Sequence, residues 1–174
     1  MVPAVAVACV TAAQQGRLAA GPLPRDARVD RLVVDKSDRR LEAWSGDTLR
    51  ATYPIALGTG GAGPKVYEGD GRTPEGTYRI DSRHRSRRFR RFLHVSYPNA
   101  DDRRGHRDAR ARGEVPDGAG IGGDIGIHGE SDHPLVRALD NSVDWTAGCI
   151  AVSDEAIDDL YRAVVPNARL EIRP

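Results

Sequence analysis

The chain has 174 residues, about one domain's length, with 39% apolar and 29% charged residues and a formal net charge of +1. That is enough apolar material for a core and excludes wholesale disorder, while a near-neutral balance gives no global pull toward nucleic acid or acidic membranes. The longest apolar run, residues 2–10, is nine residues, and a spanning helix needs about 20, so no transmembrane anchor is expected.

Residues 1–13, MVPAVAVACVTAA, are small and apolar and stop abruptly at Gln14. They resemble the core and small-residue end of a secretory signal, though the first basic residue is Arg17. A lipoprotein reading through Cys9 fits poorly, because only eight residues precede it and Ala6 stands where Leu, Val or Ile is usual. The bland alternative is a disordered stub. Residues 14–27, mixing Gly, Pro and charges, read as a linker, so that 1–27 form a signal-like segment and linker and 28–174 the domain proper.

From residue 29 the pattern is of short strands and turns. Residues 29–35 and 41–44 flank Lys36-Ser37-Asp38-Arg39 as a hairpin, and 49–57 is a third strand running into a Gly-rich loop, 58–63. Thr73-Pro74-Glu75-Gly76 has the composition of a type I turn. Further strands are expected over 77–81, 92–97, 124–128, 148–152 and 169–172. Ile157, Leu160, Tyr161 and Val164 make one firm amphipathic helix, with Ser153 as N-cap and Asp154 and Glu155 complementing its dipole. Residues 100–112 have the makings of a polar helix with almost no apolar face. Many strands and one firm helix give a mainly β sandwich or barrel.

Several motifs carry less than they promise. Residues 58–63 spell GxGxxG, but Pro64 follows and no helix opens there, so a loop bordering a cleft is expected instead of a dinucleotide site. Residues 83–91 hold six Arg and 103–112 five more. Interleaved Asp101, Asp102 and Asp108 favour solvated surface over nucleic-acid binding, with an anionic cell-wall polymer the residual partner if the protein is exported. His84 and His106 lie in these polar stretches, and His94 alternates with Phe92 as a structural group. A metal site from His128, Asp132, His133 and Cys149 matches no zinc spacing. The basic residues are 24 Arg and two Lys, Lys36 and Lys65, and the cysteines are only Cys9 and Cys149, so no disulfide framework is present.

The informative stretch is 124–152. His128 ends an apolar strand, and after 17 intervening residues comes Thr146-Ala147-Gly148-Cys149, followed by another apolar strand. A cysteine becomes a strong nucleophile as a thiolate, which an adjacent imidazole can generate and hold as an ion pair. N–H groups around Ala147, Gly148 and Cys149 suit an oxyanion hole. A buried, inert cysteine beside a strand-end histidine fits the residues equally well.

His128, the spacer and Thr146-x-Gly148-Cys149 resemble the signature of the YkuD-type L,D-transpeptidase catalytic domain. The stretches Glu68-Gly69-Asp70-Gly71-Arg72-Thr73-Pro74-Glu75-Gly76 and Leu93-His94-Val95-Ser96-Tyr97-Pro98-Asn99 extend the resemblance over roughly residues 28–173. The resemblance implies a YkuD-type β-barrel or sandwich with its site in a cleft. Cys149 would form a thioester with a peptidoglycan stem tetrapeptide, expelling D-alanine, and pass the acyl group to an amine of a second stem in a 3→3 crosslink. His128 would be the base, the Gly129 carbonyl its orienter, Gly148 and Ala147 the oxyanion donors, and Thr146 a substrate contact. No metal or organic cofactor is implied; the expected protein is a monomer exported to the periplasm or cell envelope. Ala151 stands where the family often has Arg, and Ala147 where it often has His. These departures keep open an L,D-carboxypeptidase or peptide hydrolase with water as acceptor, and a non-catalytic cell-wall binding module.

Overall fold

The computed structural model describes residues 22–138 and 142–174. The signal-like segment, Cys9 and most of the expected linker lie outside the described residues. The protein is mainly β, with strands β1 (Val29–Asp35), β2 (Arg40–Ser45), β3 (Thr48–Pro54), β4 (Gly76–Ser86), β5 (Arg90–Val95), β6 (Gly126–His128), β7 (Ile150–Ala151) and β8 (Val164–Arg173). The helices are α1 (Ala100–Ala111), the one-turn α2 (Pro134–Arg137) and α3 (Asp154–Ala163).

The eight strands form one sheet in the order β3-β2-β1-β8-β4-β5-β6-β7. The β1–β8 and β6–β7 pairs are parallel and the others antiparallel. The sheet curls until its two ends meet: just past β3, Ala56 exchanges two backbone hydrogen bonds of 2.9 Å with Ala151 of β7. Inside the curl, Leu32, Val34, Leu41, Leu93, Ile127, Ile150 and Leu170 are fully buried. Each such side chain contributes about 2 kcal/mol.

The helices follow their sequence signals. Ser153 caps α3, accepting the Ala156 N–H at 3.2 Å, and Ile157 and Leu160 are fully buried. The helix stops at Ala163, and Val164 of the same apolar face opens β8 instead. The polar helix α1 exists although it buries only Ala109. An Asn99–Asp102 capping box closes its N-terminus, and hydrogen bonds of Asp102 with Tyr78 Oη (2.9 Å) and of His106 with the Val66 carbonyl (2.8 Å) tie it down.

Three expectations need correction. Thr73-Pro74-Glu75-Gly76 forms no turn: Gly76 already opens β4, and Lys36 Nζ bonds the Thr73 carbonyl (3.0 Å) and Glu75 Oε1 (2.7 Å). The last strand begins five residues before 169, because a register shift absorbs Pro166 and Asn167 without ending it. Finally, residues 22–27 are no loose tether. Leu23 is buried, its N–H bonds Asp159, and Arg162 of α3 binds the carbonyls of Leu23, Pro24 and Arg25.

The Arg cluster at 83–91 is the β4–β5 hairpin, and much of its charge is matched within the molecule. Arg90 and Arg91 pair with Asp158 of α3 at 2.5 and 2.9 Å, while Arg83 binds the Tyr161 carbonyl and lies over its ring.

Candidate active site

The β5–β6–β7 pairing positions the site. Ile127 and Ile150 are paired and point into the core. By strand alternation His128, opposite Ala151, faces the other way, and so does Cys149, two residues before Ala151. Carried one residue back past the start of β7, this alternation puts Cys149 on the His128 face, two residues away in register. The imidazole is 1% exposed, whereas Cys149 is only half-buried.

His128 Nδ1 lies 2.7 Å from the Gly129 carbonyl oxygen. A carbonyl only accepts, so Nδ1 carries the proton and Nε2 is left as the basic nitrogen. Asp154, at the start of α3, fixes this connection from behind: its Oδ1 accepts the Glu130 N–H at 3.1 Å and its Oδ2 holds Arg137 at 3.1 Å. Phe89 stacks on the imidazole at 4.2 Å, Phe92 lies 6.0 Å away on the neighbouring strand, and Trp145 meets it edge-on at 5.5 Å. Burial in this aromatic box pushes His128 down to about 4, against the opposing effect of its Gly129 hydrogen bond.

Cys149 Sγ contacts the Asp124 carbonyl oxygen at 3.5 Å as hydrogen-bond donor. Burial pushes the thiol up from its ordinary range; the Gly126 N–H on the sulfur opposes this, the Asp124 carboxylate adds to it, and Lys65 again opposes. Both directions favour neutral partners, so the resting pair is thiol and imidazole. The aromatic rings surround the imidazole, and burial works against the charged forms of both groups.

Glycine lets the backbones meet here. A side chain on Gly126 would run into the Phe92 ring, 2.2 Å from the Cβ position. Gly148 sits at φ +133° with its Cβ position 2.8 Å from the Arg72 carbonyl. The GxGxxG loop is the other half of this contact: a Gly58 Cβ would collide with the Gly71 carbonyl oxygen, and Thr59 N–H bonds the Thr146 carbonyl at 3.0 Å. It borders a cleft, but as a close-packed backbone layer.

The two lysines hold that layer. Lys36 Nζ donates to the Gly63 and Thr73 carbonyls and to Glu75, at 2.8, 3.0 and 2.7 Å. Lys65 Nζ donates to the Tyr67 carbonyl and Asp70 at 2.9 and 2.8 Å. Asp70 also accepts the N–H groups of Val66, Tyr67 and Arg72, so the Glu68-Gly69-Asp70-Gly71-Arg72 run is one hydrogen-bonded hub. Beside it opens a cavity of about 320 Å³ lined by Gly60, Val66, Tyr67, Asp70, Arg72 and Glu114.

Thr146 is buried. Its hydroxyl donates to the Cys149 carbonyl at 2.7 Å and accepts the Gly148 N–H at 3.1 Å, which makes it the internal clamp of the turn before Cys149. Ala147 is exposed at the tip of that turn. Asp132 and His133 are exposed just before α2, whereas His128 is buried. Among the described residues no group of three or more His, Cys, Asp or Glu side chains is arranged to hold a metal ion.

Sequence reasoning missed Phe89, Phe92 and Trp145 around the base, and Gly126, Asp124 and Lys65 around the sulfur. Phe89 was hidden among six arginines. The Phe92–His128 contact depends on strand register, which a lone sequence does not display.

The L,D-transpeptidase catalytic-domain model of the YkuD family matches residues 29–172. No curated protein sequence matches the chain. Among solved structures, an L,D-transpeptidase from Xylanimonas cellulosilytica is 15% identical with TM-score 0.53, covering 94% of this chain and 71% of its own. An L,D-transpeptidase from Mycobacterium smegmatis is 13% identical with TM-score 0.54, covering 85% and 59%. The helical cell shape determining protein Pgp2 from Campylobacter jejuni is 21% identical with TM-score 0.56, covering 85% and 48%. At these identities the likeness is one of fold, and the chain spans only about half to two thirds of the latter two. Since the family model runs from β1 nearly to the end of β8, the chain belongs to the YkuD L,D-transpeptidase catalytic-domain family.

Proposed function

We propose that this protein is a cysteine-dependent L,D-transpeptidase acting on peptidoglycan stem peptides outside the cytoplasm. The observation that carries the reading is the shared face of His128 and Cys149, with Nδ1–H locked on the Gly129 carbonyl and Nε2 left basic. In the proposed reaction Nε2 takes the thiol proton as Sγ attacks the stem carbonyl, so the thiolate appears only as it is used. Gly126 N–H supports the sulfur as charge develops. The Ala147 and Gly148 N–H groups are the proposed oxyanion donors; that of Gly148 is shared with the Thr146 hydroxyl. The imidazolium then protonates the departing D-alanine amine, leaving a Cys149 thioester. An amine of a second stem completes a 3→3 crosslink.

The test is mass spectrometry of disaccharide-tetrapeptides incubated with wild type and Cys149→Ala. Dimers lacking one D-alanine, made by wild type alone, are the expected products. Monomers merely shortened by D-alanine would move the activity to hydrolysis, a reading motivated by Ala151 where the family often has Arg. Neither product, with Cys149→Ala indistinguishable from wild type, would sink the proposal and leave a binding module.

A further inference from the structure

The backbone at Asp124 is unusual. It is a non-glycine residue at φ +53°, a left-handed conformation that costs energy in L-residues and concentrates at functional positions. Its carbonyl oxygen accepts from Cys149 Sγ at 3.5 Å, which pins this residue against the nucleophile, and the residue itself is exposed. Among the described residues its carboxylate forms no salt bridge. The cation whose charge also reaches the sulfur, Lys65, is already paired with Asp70 at 2.8 Å.

An unpaired carboxylate on a residue whose backbone touches a sulfur that must become an anion is a handicap, and its charge pushes the thiol up. The handicap disappears when a cation enters the site. The acyl acceptor of a transpeptidase is an amine, largely an ammonium at neutral pH, whereas the competing acceptor, water, is uncharged. We propose that the Asp124 carboxylate binds the ammonium group of the acyl acceptor and so sets aminolysis above hydrolysis at the Cys149 thioester. This rests on the reading of Cys149 as nucleophile.

In the step itself the ammonium releases one proton to solvent, and the amine nitrogen attacks the thioester carbon. The C–N bond forms and the C–S bond breaks. The second nitrogen proton passes through His128 Nε2 to the departing sulfur, regenerating thiol and neutral imidazole.

Asp124→Asn keeps a side chain that tolerates positive φ and removes only the charge. The first test needs no peptidoglycan. Alkylation of Cys149 at pH 7.5 by cationic 2-bromoethylammonium is compared with that by neutral iodoacetamide, so that any general change in the thiol cancels. The cationic-to-neutral rate ratio is expected to fall about fivefold in Asp124→Asn, as loss of one nearby opposite charge predicts. An unchanged ratio would overturn the proposal. In the tetrapeptide reaction, the dimer-to-hydrolysed ratio per D-alanine released is expected to drop at least about fivefold, so that any change in the acylation step itself cancels. Partition to hydroxylamine, an uncharged acceptor at this pH, is expected to stay put; an equal drop there would contradict charge recognition. If wild type releases no D-alanine, the transpeptidase reading falls and the acceptor role with it, while the alkylation ratio separately reports whether Asp124 presents its charge to the sulfur.

Discussion

At Cys149 and His128, burial acts on two groups of opposite charge type with one result: the thiol is pushed up and the imidazole down to about 4, so both are neutral near pH 7. On the proposed mechanism the base must be unprotonated, so the acylation rate is lost on acidification only as His128 takes its proton. The acidic limb of the pH–rate profile is therefore expected near pH 4; a limb centred at pH 6–7 would contradict the buried-base account. Thr146 illustrates what a motif hides. From sequence it reads as a substrate contact, yet its hydroxyl serves Gly148 N–H and the Cys149 carbonyl inside the turn. Thr146→Val leaves both groups without that partner in a buried place, and is expected to cost about 1–3 kcal/mol of stability in denaturant titration. Thr146→Ser, which keeps the hydroxyl, should cost markedly less. The candidate pair could be picked out because strand, spacer and Gly-Cys turn follow one another closely in the sequence. The groups that surround it could not, because Phe89 and Lys65 reach it only through tertiary pairing and the contact of Asp124 with Cys149 spans 25 residues.

One element, the β4–β5 hairpin, decides how dry the base is. Its tip carries Phe89, whose ring covers His128 and whose carbonyl accepts the Gly129 N–H at 3.1 Å. The surrounding arginines anchor this roof onto α3 through Asp158. Phe89→Ala is expected to admit water and move His128 upward from about 4 toward the ordinary imidazole value, read by NMR titration of the ring. An unmoved titration would show that Phe92 and Trp145 suffice. The loop of residues 58–75 depends on Lys36, whose three donors diverge to two carbonyls and one carboxylate. A planar guanidinium does not reproduce that geometry, which accounts for lysine at this place in an arginine-rich chain. Lys36→Met leaves Glu75 as an unpaired, largely buried charge and is expected to cost about 3 kcal/mol by urea titration, with Lys36→Arg only a partial rescue.

For the whole molecule, the buried neutral imidazole ties folding to pH. His128 falls from 6.5 when unfolded to about 4 when folded. Its favourable state is intact above pH 6.5; as pH drops the unfolded chain takes up the proton first, and stability declines until the folded protein is protonated too. The loss attributable to His128 is about 2.5 kcal/mol between pH 7 and pH 4.5. Urea titrations at the two pH values should differ by that much in wild type and by much less in His128→Gln. Most strands and both longer helices were legible as alternation, turn composition and a capped apolar face. What the sequence withheld was closure and strap. The Ala56–Ala151 bridge joins residues far apart in the chain, and Leu23 is buried by contacts with α3 that local composition does not encode.

The central claim is a Cys149 acyl thioester formed with the help of a neutral His128. The most direct measurement is intact-protein and peptide mass spectrometry after brief acid quench of wild type, Cys149→Ala and His128→Gln mixed with a stem tetrapeptide. The account predicts an adduct of tetrapeptide minus D-alanine on the Cys149 peptide of wild type, absent in Cys149→Ala and at least about a hundredfold slower to form in His128→Gln. An adduct at another residue, or one that forms equally fast without His128, would contradict it.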